Sequence, residues 1–246
     1  LITINTSLTH LMLLSKLRPR LVSTSRLQIS YPSSFRPVVI FTAGAPGSGK
    51  TYCLHSIYGL DNVTMIDLDS EMKYHPNYVD RGNNSHLYEA KASYKWADEM
   101  VEKSFQKILR KPPTARSGAT SLTCLDGTGT HSKRQQRRML DAKRAGFWVV
   151  NLFVKVDLET ALERNAKRER RVPEDILKTY VEELDGAVKE VNEVPGLVDE
   201  FIVFNNNDDD GVRGRERWGA SYDDVWRSSV ERSKIVKFER REGNTR

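Results

Sequence analysis

Val38-Val39-Ile40-Phe41-Thr42-Ala43-Gly44-Ala45-Pro46-Gly47-Ser48-Gly49-Lys50-Thr51 is the stretch on which the fold turns. Val38 to Ala43 is a continuous apolar run of strand length that ends in a glycine cluster. Gly44 to Thr51 then match G-x-x-x-x-G-K-[ST]. Gly44, Gly47 and Gly49 let the backbone turn tightly and come close to a ligand without a Cβ in the way. Successive N–H groups can then face inward at the start of a helix near Lys50, where the helix dipole favours an anion. Ala45, Pro46 and Ser48 complete the loop. Lys50 is suited to the β- and γ-phosphates of a nucleoside triphosphate and the Thr51 hydroxyl to Mg²⁺. The cofactors implied are ATP or GTP, with Mg²⁺.

Working outward, Val63 to Ile66, Leu122 to Leu125, Phe147 to Val154 and Phe201 to Phe204 are four more short apolar runs. Runs apolar throughout predict strands buried on both faces, as in a parallel sheet covered by helices. Helical spacing separates them. Leu87, Ala90, Tyr94, Ala97, Val101, Phe105 and Ile108 recur at three and four. So do Ile176, Tyr180, Leu184, Val188 and Val191, in a helix opened by Pro173, while Gly146 suits a helix C-terminus. The order β-α-β-α-β-α-β-α-α-β predicts a doubly wound α/β domain over 37–204. That is a P-loop NTPase-type three-layer sandwich with a mostly parallel five-stranded sheet. Lys111 to Ser121 is expected to be a loop, and 205–246 a linker and tail with one short helix holding Tyr222, Val225 and Trp226.

Two of the strands end in acids. Met65-Ile66-Asp67-Leu68-Asp69 closes the second, and Leu125-Asp126-Gly127-Thr128-Gly129 the third. Ligands of open parallel sheets sit at the carboxyl ends of the strands, so carboxylates there lie near a triphosphate. An Asp after the second strand can take the proton of an acceptor hydroxyl. Strand alternation would send Asp67 and Asp69 to one side, leaving either to face the nucleotide. Asp126 has the Walker-B position and is expected to hold Mg²⁺ directly or through water. Further on, Arg164-Asn165-Ala166-Lys167-Arg168-Glu169-Arg170-Arg171 forms a basic stretch. As a lid it could stabilise charge spread over transferred phosphoryl oxygens.

The formal net charge is +6, from 39 basic and 33 acidic residues. Residues 1–60 hold Lys16, Arg18, Arg20, Arg26, Arg36 and Lys50 and no acid; without those six the remainder is neutral. Five of those six lie in residues 1–36, so most of the excess belongs to this leader, which weakens a nucleic-acid reading. Residues 1–36, rich in Leu, Ser, Thr and Arg, have the composition of an organelle transit peptide, the alternative being a disordered tail. The interrupted run Leu8 to Leu14 is too short to span a bilayer. Cys53 and Cys124, the two cysteines, fall in expected core segments, which fits an intracellular, cytoplasmic setting with organelle targeting resting on 1–36.

Taken together these residues resemble the zeta-toxin family of P-loop kinases, from about Val38 to Phe204. The shared elements are the loop Gly44 to Thr51, Ile66-Asp67-Leu68-Asp69 with His75-Pro76-Asn77-Tyr78, and Asp126-Gly127-Thr128-Gly129. Arg164-Asn165-Ala166-Lys167-Arg168 followed by Val172-Pro173 also looks like the related polynucleotide 5′-hydroxyl kinases. Bacterial zeta toxins phosphorylate UDP-N-acetylglucosamine. The resemblance implies Asp69 as base, Lys50 and Thr51 on phosphate and Mg²⁺, and Arg164 and Arg171 on the phosphates. Arg168 lies where polynucleotide kinases would place their arginine. Asp126 departs from the glutamate of bacterial toxins. Three functions are carried forward: a small-molecule or nucleotide-sugar kinase, a polynucleotide kinase, and a nucleotide-binding switch without transfer activity. A protein partner is left open.

Overall fold

A computed structural model describes residues 20–24, 26–31, 35–59, 63–82, 84–112, 121–168, 171–207 and 235–240. The expected helix around Tyr222, residues 113–120 of the expected loop, and the first 19 residues lie outside these. The five anticipated strands all form: β3 Val38–Ala43, β4 Val63–Ile66, β5 Leu122–Leu125, β6 Trp148–Lys155 and β7 Glu200–Asn205. They are mutually parallel in the order β4-β5-β3-β6-β7, so the strand leading into the glycine loop is central. This is the P-loop NTPase-type α/β fold.

Alternation of side chains across the sheet builds two cores. Val38, Ile40, Cys124, Val150 and Leu152 face α1 (Lys50–Tyr58) with its Cys53, Leu54 and Ile57. Val39, Phe41, Leu125 and Val149 face Val101 and Phe105 of α4 (Lys91–Arg110), and Met139 and Ala142 of α5 (Ser132–Arg144). Both cysteines are buried, as small apolar side chains in a core.

The helical pattern from Leu87 to Ile108 divides in two. Ala90 takes an extended conformation, separating the short α3 (Ser85–Glu89) from α4. The helix after Pro173, α7 (Glu174–Asn192), buries Leu177 rather than Ile176, which stays 42% exposed. Gly146 follows the C-cap of α5 in a left-handed conformation and donates its N–H to Lys143 O.

Among the described residues three strands appear beyond the expected five. β1 (Arg20–Thr24) and β2 (Arg26–Ser30) form an antiparallel pair, with β2 lying against α1. β8 (Ile235–Arg240) pairs antiparallel with β7 as an edge strand. Its Lys237, Glu239 and Arg240 disguise it in the sequence, since edge strands carry charge where central ones do not. Tyr31, just past β2, is buried and donates a 2.9 Å hydrogen bond to the fully buried Glu200. It stacks on Phe35, which meets Trp148 edge-on, and the Arg36 guanidinium covers Trp148. Burial above all, then repulsion from Tyr58 and Glu200, pushes the Tyr31 phenol up. Among the described residues no helix is long and apolar enough to cross a membrane.

Candidate active site

The site forms where β3, β4 and β5 end together. β3 runs directly into Gly44, and α1 begins at Lys50 with Gly49 as its N-cap, in a left-handed conformation at φ 80°. Glycine is required there on two counts. A Cβ would strain the backbone, and it would lie 2.5 Å from the Asn206 side-chain nitrogen. Inside the loop, Ser48 N donates to Ala45 O at 3.0 Å, and Gly44 N donates to Thr128 O at 2.8 Å. Gly44, Ala45, Pro46 and Ser48 are buried; Gly47, Gly49 and Lys50 are half-buried and Thr51 is exposed. Lys50 folds back over the loop and donates to Gly44 O at 3.0 Å. The result is a ring of backbone closed on itself, with the helix N-terminus at its mouth.

Asp126 stands beside this ring because β5 is the immediate neighbour of β3, with Phe41 opposite Leu125. Thr42, buried within β3, donates its hydroxyl to Asp126 Oδ1 at 2.5 Å and accepts from Gly127 N at 3.0 Å. The carboxylate is thus aimed by a side chain of the strand that also carries the loop. On the other side of β5, Asp126 N donates to Ile66 O at 2.9 Å, which brings the end of β4 alongside.

Asp67 and Asp69 do not alternate along a strand. β4 stops at Ile66, and Asp67 is the N-cap of α2 (Leu68–Met72), accepting at 2.7 Å from both Ser70 N and Ser70 Oγ. Asp69 sits in the first turn of that helix and is half-buried. The two acids therefore take different roles: Asp67 is committed to the turn, and Asp69 is carried one residue into the helix. The thiol of Cys124 registers the field of this corner. Burial raises its pKa most, Asp126 and Asp67 add to that, and Lys50 opposes them.

α6 (Leu158–Ala166) closes the opposite side of the loop. A Cβ at Gly47 would lie 2.8 Å from Ala161 O and 3.4 Å from Arg164 Cβ, so this helix rests on the loop and brings Arg164 to it. Arg168 and Arg171 are exposed beyond the helix end, where Arg171 Nε donates to Arg168 O at 3.4 Å; no described contact ties either to the loop. The base of this segment is clasped by Asn165. Its buried side chain donates to Val172 O at 2.7 Å and accepts from Val172 N at 3.0 Å.

Thr42, Asn165 and Asn206 were missed as site residues in the sequence, although each left a trace there. Thr42 is the polar member of an otherwise apolar strand, Asn165 stands inside the arginine stretch, and Asn206 belongs to an asparagine triplet that looks like a linker. Among the described residues no group of three or more His, Cys, Asp or Glu side chains is arranged to hold a metal. Mg²⁺ characteristically takes one or two protein ligands and completes its shell with phosphate and water, so the exposed Thr51 hydroxyl and the half-buried Asp126 carboxylate fit it.

The model of the AAA domain family matches residues 39–186, well over half of the chain. A comparison with curated protein sequences found no match. Solved structures with the same fold include one from the PezAT chromosomal toxin–antitoxin system of Streptococcus pneumoniae. It has a TM-score of 0.52 and 18% identity, over 81% of this chain and 82% of that one. Another is the AvrRxo1-ORF1:AvrRxo1-ORF2 complex with sulphate ions, at TM-score 0.51 and 16% identity. There the match covers 70% of this chain and 55% of that one, so this chain spans about half of its length. The chain belongs to the AAA domain family of P-loop proteins.

Proposed function

We propose that this AAA-domain chain is an ATP- or GTP-dependent, Mg²⁺-dependent kinase of zeta-toxin type that phosphorylates a hydroxyl of a small substrate such as UDP-N-acetylglucosamine. The observation that carries this reading is the meeting of three features at adjacent strand ends. They are the glycine loop after β3, Asp126 after β5, and Asp67 with Asp69 after β4. A protein that merely binds a nucleotide needs the first two; a carboxylate one strand further out is what an acceptor hydroxyl requires.

In this reading the backbone N–H groups of Gly47 to Thr51 bind the phosphates, and Lys50 moves from Gly44 O onto the β- and γ-phosphates. Thr51 and Asp126 would hold Mg²⁺, which supplies charge neutralisation on the phosphate oxygens when bound. Asp69 accepts the hydroxyl proton as the acceptor oxygen bonds to the γ-phosphorus and the bond to the β-phosphate oxygen breaks, releasing the nucleoside diphosphate. Arg164, seated against Gly47, neutralises charge on the transferred group, with Arg168 and Arg171 reaching the phosphates as the segment above Asn165 closes.

Purified protein with Mg²⁺ and ATP or GTP, presented with UDP-N-acetylglucosamine and a 5′-hydroxyl oligonucleotide side by side, tests this by mass spectrometry. Phosphate is expected on the nucleotide-sugar, and to be lost in Lys50→Ala. Phosphate on the oligonucleotide instead would favour the polynucleotide-kinase reading, to which the exposed Arg168 and Arg171 lend themselves. Nucleotide binding without transfer to any hydroxyl acceptor would leave the binding-switch reading.

A further inference from the structure

Asn205 ends β7, Asn206 and Asn207 follow it at the rim of the candidate nucleotide site, and each side chain is engaged. Asn205 Oδ1 accepts from Asn207 N at 3.1 Å, and Asn207 Oδ1 accepts from Asp157 N at 2.8 Å, at the N-cap of α6. Asn206 is 4% exposed; its backbone N–H donates to Lys155 O at 2.9 Å and its side-chain Nδ2 to Ser48 O at 2.8 Å. Its Oδ1 is buried and has no hydrogen-bond partner among the described residues. A buried amide with its acceptor end unused costs free energy, so what this side chain contributes lies in its donor end.

We infer that Asn206 is a positioning residue that orients the phosphate-binding N–H groups of the loop. The peptide between Ser48 and Gly49 is trans, so its C=O and N–H point in opposite directions. Pinning Ser48 O toward Asn206 turns the Gly49 N–H the other way. That N–H is continuous with those of Lys50 and Thr51, which open α1 and have no intrahelical acceptor. The left-handed Gly49 preceding them gives the succession of backbone conformations that forms an anion-binding concavity. A Cβ at Gly49 would meet Asn206 Nδ2 at 2.5 Å, so glycine and asparagine are matched in space as well as by the hydrogen bond. Without the amide donor the 48–49 peptide is free to rotate, and the N–H groups would have to be ordered at the expense of phosphate affinity.

This inference rests on the nucleotide-site reading above, and its test separates the two. Calorimetric titration of the full chain with MgATP and with tripolyphosphate would be run on wild type, Asn206→Ala and Asn206→Asp, with unfolding midpoints measured without ligand. Asn206→Ala is expected to weaken ATP and tripolyphosphate by the same factor, about tenfold. Asn206→Asp should weaken both further, because it removes the donor and places a carboxylate behind the phosphates. The unfolding midpoint should fall as well, because the buried Ser48 carbonyl loses its donor. A variant that stays folded and binds tripolyphosphate as wild type does would overturn the inference, and so would a loss confined to ATP, which would mean contact with the base. Should Asn206→Ala fail to fold, the near-isosteric Asn206→Asp carries the test. Failure of both would make Asn206 a folding residue and end the proposal. Wild type that binds neither ligand would refute the nucleotide-site reading itself.

Discussion

Replacing Thr42 by valine should separate the aim of Asp126 from its presence. The side chain is 2% exposed, and valine matches its shape, so no cavity opens and the change is confined to the hydroxyl. The 2.5 Å donation to Asp126 Oδ1 and the 3.0 Å acceptance from Gly127 N go with it, as does the 3.3 Å contact with Gly127 O. A hydrogen bond to a charged group is worth about 1.5–3 kcal/mol. Asp126 is half-buried and Gly127 is exposed, so both recover part of their loss from water. The expected destabilisation of Thr42→Val is therefore about 1.5–3 kcal/mol by urea unfolding. Thr42→Ser keeps the hydroxyl and loses one methyl, for about 1 kcal/mol. The functional readout is Mg²⁺ dependence: nucleotide affinity without Mg²⁺ should be unchanged in Thr42→Val, while the gain on adding Mg²⁺ shrinks several-fold. If Thr42→Val proves as stable as Thr42→Ser and gains as much from Mg²⁺, Thr42 does not orient Asp126 and the reasoning fails.

Lys50→Ala should lower turnover by at least about 10²-fold, measured as steady-state phosphoryl transfer, because the charge proposed to face the β- and γ-phosphates is gone. Asp69→Asn should abolish transfer and leave the nucleotide dissociation constant nearly unchanged; wild-type turnover in this variant would remove Asp69 from the role of base. Tyr31 supplies a pH dependence. Its folded pKa is raised well above 10.0, so the protonated phenol is favoured in the native state. Its contribution to stability is complete below the unfolded value and lost as pH rises from there through the folded one. Urea midpoints measured from pH 8 to 11 should therefore fall more steeply in wild type than in Tyr31→Phe, and parallel curves would contradict this.

Much of the site was legible because its signals are local. A strand-length apolar run, three glycines at set spacing and a Lys-Thr pair are contiguous, and the chemistry they encode needs no partner from elsewhere in the chain. Asp126 could be seen for a similar reason, as an acid ending an apolar strand. Asp69, a candidate by the same rule, was expected on a strand, whereas Asp67 and Ser70 close a capping turn that stops the strand at Ile66 and carries Asp69 into a helix. Side chains that hold the site were harder to see. Nothing adjacent in sequence tells Asn206 that Ser48 is its partner, 158 positions away.

The sequence by itself determined the five strands, the helices between them and the phosphate loop, because apolar runs and backbone freedom are written residue by residue; β4, at the sheet edge, buries Ile66 and exposes Thr64. Only the tertiary structure decided the strand order, and with it that Asp126 would lie one strand from the loop and Asp67 with Asp69 one strand further. It also decided that Thr42 would aim Asp126, that α6 would rest on Gly47, and that Tyr31 would reach Glu200 across 169 positions. These are pairings between distant segments. Hydrophobic periodicity says which face of a segment is buried and is silent about which other segment covers it, so partner and register emerge once the whole sheet packs at once.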